Sequence, residues 1–337
     1  MTSCSSTSET RDSLLSVRDL CVEFPLPKAR TWPWQPVPRL KAVNKVSFDL
    51  DAGHTLGLVG ESGCGKSTLA RALVGLVPVR SGDICWQGTA LQDLGKKAFH
   101  ELRREVQMIF QDPLASLNPR MTIGHIIAEP LRNYEPHLSA HDRKLRVRAV
   151  MDRVGLLPNM INRYPHEFSG GQCQRVGIAR ALILKPRLLV CDEPVSALDV
   201  SIQAQIINLL RELQREMGLS LLFIAHDLAV VRYISDTVMV MYLGNTVEMA
   251  DAESLYSHPA HPYTQALMSA VPVPDPKAAK AAEICMLEGD LPSPVNPPSG
   301  CVFRTRCPRA VGACAEARPQ LRGTERQQAA CILVEEL

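Results

Sequence analysis

Nine consecutive residues, Gly60-Glu61-Ser62-Gly63-Cys64-Gly65-Lys66-Ser67-Thr68, follow the spacing G-x-x-x-x-G-K-S/T. That pattern suits a polyphosphate. Its glycines let the backbone wrap with N–H groups turned inward, and a helix opening at the loop's end adds its positive dipole. Lys66 is placed to reach the terminal phosphates, and the Ser67 hydroxyl to hold Mg2+. A second pair of residues supplies what phosphate hydrolysis would need. Leu188-Leu189-Val190-Cys191 reads as a buried strand, and Asp192 and Glu193 emerge at its C-terminal end. Open α/β sheets place their ligands at such strand ends. Asp192 suits the Mg2+ shell, and Glu193 suits polarising or deprotonating an attacking water.

These residues need strands behind them and helices beside them. Apolar alternation predicts strands at Leu14 to Phe24 and Ala42 to Leu50, with a Pro/Trp-rich loop between them. A buried strand at Thr55 to Val59 leads into the glycine-rich loop, and a helix from Lys66 to Leu76 leaves it. Further strands are expected at Val106 to Phe110, Leu188 to Cys191, Leu221 to Ala225 and Val238 to Leu243. Helices are expected at Gln172 to Leu184 and Ser201 to Met217. Continuous apolar strands alternating with helices predict a largely parallel sheet covered on both faces. From about Ala115 to Phe168 the pattern is helical, as in a side subdomain. Prolines crowd residues 272–298, where an extended connector is expected to lead into a cysteine-rich tail.

The composition narrows the function classes. The 37 basic and 35 acidic side chains leave a net charge of +2, so no broad basic surface for nucleic acid is expected. No apolar run approaches the length of a membrane helix, and the Ser/Thr-rich N-terminus lacks the apolar core of a signal peptide. Any membrane association is therefore expected to pass through partners. Eleven cysteines is a high number for a chain in a reducing compartment. Cys64 and Cys191 are read as small packing residues without a redox role.

Upstream of Asp192 lies Phe168-Ser169-Gly170-Gly171-Gln172-Cys173-Gln174-Arg175. Ser169 with Gln172 three residues on is a capping-box pattern, and Gly170 and Gly171 leave N–H groups that a phosphate can approach closely. This segment resembles the signature sequence of ATP-binding-cassette (ABC) ATPases. The resemblance implies an α/β fold: a P-loop NTPase ABC cassette with a RecA-like core, an antiparallel β subdomain and a helical subdomain. A small cysteine-rich C-terminal tail extends it here. ATP and Mg2+ are the implied ligands, with the signature helix facing the γ-phosphate bound by a second subunit. Gln111 is similar to the family's glutamine that touches Mg2+ or water. Ser196-Ala197-Leu198-Asp199 resembles the loop crossing the dimer interface, and His226 the switch histidine at the γ-phosphate. Phe24 falls where the family stacks an aromatic on adenine. Cys173 departs from the pattern, since a long polar or basic residue is usual there, and is expected to tune the interface.

GESGCGKSTL, QDPLASLNPR, EPVSALDVS, HPYTQAL and the tail GCVFRTRCP resemble the ATPases of dipeptide and oligopeptide importers, above all the F-type ATPase component of dipeptide importers. The resemblance implies ATP hydrolysis coupled to uptake of dipeptides or short oligopeptides, at the cytoplasmic face of the inner membrane. It implies a heterodimer with a sister ATPase, two permease subunits and, indirectly, a periplasmic peptide-binding protein. The same role for a nickel chelate or haem-like molecule is the alternative. A soluble ABC ATPase acting on nucleic acid or ribosomes is disfavoured by the single cassette and the short helical segment. A binder that never hydrolyses ATP is disfavoured by Glu193 and His226. The expected division is a flexible N-terminus at 1–13, an ATPase domain at 14–257 with its helical subdomain at about 115–170, and a C-terminal extension at 258–337.

In that extension Cys301, Cys307, Cys314 and Cys331 are separated by five, six and sixteen residues. No C-x-x-C pair is present, so spacing by itself leaves an iron–sulfur cluster, zinc and unliganded thiols all open. The resembling ATPases ligate a four-iron four-sulfur (4Fe-4S) cluster with cysteines so arranged, and the resemblance extends that role to these four. His261 to Leu267 reads as a short amphipathic helix, for which simple packing is an equal reading.

Overall fold

The structure is a computed structural model and describes residues 13–26, 37–271, 287 and 289–334. The N-terminal segment before Ser13, most of the Pro/Trp-rich loop and most of the 272–298 connector lie outside the described residues. The chain divides into two compact units. Met1–Leu14, Leu50–Thr55 and Thr89–Ala225 form one, called here the signature unit. Leu15–Asp49, Leu56–Gly88 and His226–Leu337 form the other, the loop unit. Strands and helices are numbered in chain order.

The loop unit begins with two long strands, β1 (Ser13–Pro25) and β2 (Arg39–Asp51), whose burial alternates along the chain. β3 (Thr55–Val59) is buried at every position and feeds the glycine-rich loop, from which α1 (Lys66–Leu73) departs. β4 (Ser81–Trp86) pairs antiparallel with β1, placing Leu15 opposite Trp86 and Val17 opposite Ile84. After the signature unit, to which β5 (Thr89–Ala90) belongs, the chain returns here with α7 (Leu228–Ile234), β9 (Thr237–Tyr242) and β10 (Asn245–Asp251). β9 runs parallel to β3, with Leu58 opposite Met239, and antiparallel to β10. Leu243 and Gly244, at φ 44° and 76°, make the turn between β9 and β10. Two consecutive positive φ values match the twist of a two-residue hairpin.

The C-terminal region is joined to this sheet. α8 (Ala252–Ser257) and α9 (Pro262–Ser269) follow β10, and later β11 (Arg322–Gly323) and β12 (Gln327–Ala329) add antiparallel strands beyond it. Glu248 on β10 is fully buried and organises the junction. Its carboxylate accepts the backbone N–H groups of Ala260 and His261, both at 2.8 Å, and the Gln327 Nε2 at 2.9 Å. A buried carboxylate is tolerated only when its oxygens are satisfied in this way.

His261 caps α9, its Nδ1 accepting the Tyr263 N–H at 3.1 Å. Burial lowers the His261 pKa to about 4. The unfolded chain titrates near 6.5, so below that pH it binds a proton that the folded state refuses. Stability is therefore present above about pH 6.5 and is lost as pH falls toward 4. Between pH 7 and 5 the expected loss from this residue is about 2 kcal/mol. Urea unfolding of the wild type and of His261→Gln at both pH values checks it, since the variant should lack that part of the slope.

The signature unit is a parallel sheet with helices. α2 (Lys96–Glu105) leads into β6 (Val106–Ile109), and α3 (Ile123–Tyr134), α4 (Ala140–Arg153) and α5 (Gly170–Leu182) precede β7 (Leu188–Asp192). α6 (Val200–Met217) then leads to β8 (Ser220–Ile224). β6, β7 and β8 run parallel in the register Val106, Leu188, Ser220, and β7 and β8 are buried throughout. Among α3 and α4, Glu135 receives Arg104 at 3.0 Å and Arg146 at 2.6 Å. The expected parallel sheet is thus present in β6–β8 and in β3–β9. It gives way to antiparallel pairing at β10 because a two-residue turn cannot return a strand in the parallel sense.

Candidate functional site

Each unit carries its own group of the residues singled out above. In the loop unit, the last buried residue of β3, Val59, is followed by Gly60 at φ 149°. A Cβ at Gly60 would stand 2.2 Å from the Met241 carbonyl oxygen, and one at Gly65 (φ 106°) 2.1 Å from that of Ala42. Only glycine fits at either place, so β9 and β2 set the path of the loop. Glu61 is half-buried, Ser62 and Gly63 are exposed at the rim, and Ser67 and Thr68 are half-buried at the start of α1. Lys66 is only 5% exposed, and its ammonium donates to the carbonyls of Gly60 (2.7 Å) and Glu61 (3.0 Å). The charge is held inside the loop's curve, beside the N-terminus of α1. Cys64 is buried, and burial raises its pKa despite the adjacent Lys66 ammonium, so its thiol stays protonated.

Two residues that sequence reasoning missed grip the same loop. The Glu61 N–H donates to the Tyr263 hydroxyl on α9 at 2.9 Å. Arg306 Nη1 donates to both Glu61 carboxylate oxygens, at 3.0 and 2.9 Å. Tyr263 is fully buried in an aromatic cluster, with ring centroids 4.8 Å from Tyr242 and 5.3 Å from Phe303. The available signals were the tyrosine in His261-Pro262-Tyr263 and the arginine between two tail cysteines. Neither spacing says which surface the side chain meets.

In the signature unit, β7 ends at Asp192, which is fully buried. Glu193 follows at φ 47°, a left-handed conformation uncommon for a residue with a Cβ. Its N–H donates to the Ile224 carbonyl at 3.1 Å, which fixes it against the end of β8. Gln111, two residues beyond β6, donates from Nε2 to Glu193 Oε2 at 2.8 Å. The structure thus brings together two residues 82 apart in sequence. Ser196 Oγ donates to the Glu193 carbonyl at 3.1 Å, and Asp199 is exposed at the N-cap of α6. Cys191 is fully buried, and burial raises its thiol pKa well above the usual value. Like Cys64, it is a packing residue.

The signature segment forms the capping box expected of it. Ser169 Oγ accepts the Gln172 N–H at 3.4 Å, and Gln172 Oε1 accepts the Ser169 N–H at 3.0 Å. Ser169 and Gly170 are exposed at the tip of α5, whereas Gly171 is buried where a Cβ would lie 2.5 Å from Ile202 on α6. Cys173 is fully buried and its thiol donates to the Pro165 carbonyl at 3.5 Å. It faces inward, so its influence on any interface passes through the packing of α5 rather than through contact.

His226 is exposed, directly before Asp227, whose carboxylate caps α7 by accepting the Ala229 and Val230 N–H groups at 2.8 and 3.3 Å. Phe24 is half-buried near the end of β1. Ser67, Gln111 and Asp192 all offer oxygen atoms, the hard donors that Mg2+ prefers.

The four tail cysteines all belong to the loop unit. Cys301, Cys307 and Cys331 are half-buried, Cys314 is buried, and all four are free thiols. The Cys301 N–H donates to the Cys314 carbonyl at 2.8 Å. Burial raises the pKa of Cys301 and Cys307, and the other tail cysteines add to the rise. The four are therefore neighbours. Yet among the described residues no group of three or more His, Cys, Asp or Glu side chains is gathered so as to hold a metal ion. No step below passes through a metal cluster.

A glycine-lined loop holding a buried lysine, a carboxylate pair ending a parallel strand and a capped Ser-Gly-Gly helix define an ABC-type ATPase. Comparison with known proteins agrees. The ABC transporter family profile matches residues 43–196, and the oligopeptide/dipeptide transporter C-terminal region matches residues 247–314. The oligopeptide transport ATP-binding protein OppF of Salmonella typhimurium is 62% identical over 98% of this chain and 98% of its own length. A putative oligopeptide transport ATP-binding protein of Bacillus subtilis, YkfD, is 53% identical over 93% and 92%. Among solved structures, cbiO1 of Clostridium perfringens, part of an ABC transporter complex, is 25% identical over 74% of this chain and 92% of its own, with a TM-score of 0.62. A dimeric ATP-binding cassette bound to ADP and Pi shares the fold at 24% identity, over 71% of this chain and 98% of its own, with a TM-score of 0.62. The chain belongs to the ABC transporter family, as an ATP-binding protein carrying the oligopeptide/dipeptide-transporter C-terminal region. Among the described residues no helix is long and apolar enough to cross a membrane.

Proposed function

We propose that this chain hydrolyses ATP to drive the import of short peptides, as a peripheral subunit on the cytoplasmic face of the inner membrane. The observation that carries the reading is the Gln111–Glu193 hydrogen bond. It joins a carboxylate suited to activating water to the residue from which the helical segment departs. A change at the reacting phosphate can thereby be passed to a surface that a permease could sense. The names of the relatives, OppF among them, support peptide as cargo; they favour oligopeptides over dipeptides within that class.

In this reading residues 14–257 work as the ATPase domain, with helices from about 115 to 170 as the subdomain meeting the permeases, and 258–337 as a C-terminal extension. Phe24 stacks on adenine. The backbone of Gly60 to Thr68, with Glu61, Ser62, Gly63, Cys64 and Gly65 forming the curve, receives the phosphates, and Lys66 meets the β- and γ-phosphates. Ser67, Gln111 and Asp192 would hold Mg2+, which would supply positive charge to offset that of the phosphates. Glu193 orients and deprotonates the attacking water, and His226 contacts the γ-phosphate. Ser169, Gly170, Gly171 and Gln172 present N–H groups to ATP held by a sister ATPase, and Asp199 lies at the same interface. Closure of the pair moves two permease subunits supplied by a periplasmic peptide-binding protein; hydrolysis reopens it.

Proteoliposomes containing the permeases, this chain and its sister ATPase test the proposal. Uptake of a labelled short peptide that requires MgATP and binding protein is the expected result. ATP turnover that a peptide-loaded binding protein never stimulates would refute it. For the tail, the resemblance alone supports a 4Fe-4S cluster on Cys301, Cys307, Cys314 and Cys331. Iron and acid-labile sulfide in anaerobically purified protein would carry that reading, and their joint absence with reduced thiols would end it.

A further inference from the structure

We propose that Tyr263 and Arg306 of the C-terminal region are positioning residues for the phosphate loop, which they hold ready for ATP by engaging Glu61. The inference rests on the reading of that loop as an ATP site and adds control of its affinity from the C-terminal region.

Glu61 is an awkward residue for a phosphate loop. Its carboxylate is a negative charge in a segment meant to receive several more, and like charges at short range in a partly buried setting repel strongly. Its own carbonyl already touches the Lys66 ammonium at 3.0 Å, so an unpaired carboxylate would stand close to the charge intended for the γ-phosphate. Arg306 answers this. One nitrogen of its guanidinium is shared between both carboxylate oxygens, at 3.0 and 2.9 Å, and its side chain is 10% exposed against 27% for Glu61. Burial alone would lower the Arg306 pKa, but Glu61 and, after it, Tyr242 outweigh burial and the pKa is raised. Charge-assisted bonds of this kind fix geometry as well as charge.

Tyr263 holds the backbone of the same residue. Its hydroxyl accepts the Glu61 N–H at 2.9 Å, and its ring is locked by Tyr242 and Phe303. Burial raises the Tyr263 pKa far above its usual value, so the group at the loop is a neutral hydroxyl at any physiological pH. One residue of the loop is thus held at both its main chain and its side chain by elements that lie beyond residue 260. Simple packing of α9 would bury the Tyr263 ring but would not require its hydroxyl, nor an arginine on Glu61.

The full-length chain is titrated with a fluorescent ATP analogue, and MgATP affinity is read by competition. Arg306→Gln is expected to weaken MgATP binding about tenfold at low salt, less at high salt, because the uncovered charge is screened. Arg306→Lys, which keeps a positive charge on a shorter, differently shaped side chain, should fall between wild type and Arg306→Gln. The decisive variant is Glu61→Gln combined with Arg306→Gln. Removing the uncovered carboxylate should bring affinity back to within about twofold of Glu61→Gln alone. A double variant as weak as Arg306→Gln, or an Arg306→Gln protein of unchanged affinity, would overturn the proposal. If Arg306→Gln does not fold, Tyr263→Phe carries the test: it removes one oxygen and should weaken MgATP binding about fivefold, whereas wild-type affinity would count against the role. A wild-type chain that bound no MgATP would instead sink the ATP assignment itself.

Discussion

Replacing Glu193 with glutamine lowers hydrolysis of ATP bound at this chain's loop by about a thousandfold while leaving the nucleotide bound. A positioned general base contributes roughly a hundred- to ten-thousandfold, and the amide keeps the size of the carboxylate but cannot take a proton. The side chain's setting supports that role. Glu193 holds a left-handed φ of 47°, its N–H is tied to the Ile224 carbonyl at 3.1 Å, and Gln111 donates to its Oε2 at 2.8 Å. A non-glycine residue in that conformation costs on the order of 1 kcal/mol and persists where surrounding bonds enforce it. The substituted amide can still accept the Gln111 N–H through its oxygen, so the fold should survive and only chemistry should be lost. Single-turnover hydrolysis at this site, measured in the assembled pair, checks it. A rate within a few-fold of wild type would remove Glu193 from the chemistry.

The second large effect is on binding. Lys66→Ala should weaken MgATP affinity about a hundredfold. The ammonium is buried and its bonds to the Gly60 and Glu61 carbonyls, at 2.7 and 3.0 Å, set it inside the curve of the loop. Its loss removes the charge and leaves two carbonyl dipoles facing the region where an anion would bind. Lys66→Arg should not restore affinity, because a planar guanidinium is larger than the compact, buried ammonium that the Gly60 and Glu61 carbonyls hold at 2.7 and 3.0 Å. Equilibrium titration of both variants gives the answer. Wild-type affinity in Lys66→Ala would contradict the assigned role.

Much of this was legible in the sequence, and the reasons differ from place to place. β3 and β7 are short apolar runs ending in glycine or paired carboxylates, so they were placed to within a residue, and the Ser169–Gln172 capping box is a local pattern that needs no distant partner. What escaped notice depends on contacts between segments far apart in the chain. β12 is too short and β10 too polar to announce themselves, and their pairing, with Met249 opposite Gln328, is fixed by the Glu248 junction rather than by pattern. Tyr263 lies in the segment read as a short amphipathic helix and Arg306 in the cysteine-rich tail, but their grip on Glu61 spans 202 and 245 residues. The tail cysteines were harder to read. Four cysteines invited a metal cluster, yet cysteine spacing without a C-x-x-C pair constrains side-chain geometry weakly, and the thiols are neighbours without being gathered as ligands.

The central claim is that ATP held on this chain's glycine loop is closed over by the signature helix of a different ATPase chain, and the reverse. Sedimentation velocity of the Glu193→Gln chain mixed with its sister ATPase, with and without MgATP, tests it most directly. A stable one-to-one pair that forms with MgATP, disperses without nucleotide and is abolished by a bulky substitution at the exposed Gly170 is the predicted result. Two chains that bind MgATP yet sediment separately at every concentration would contradict it.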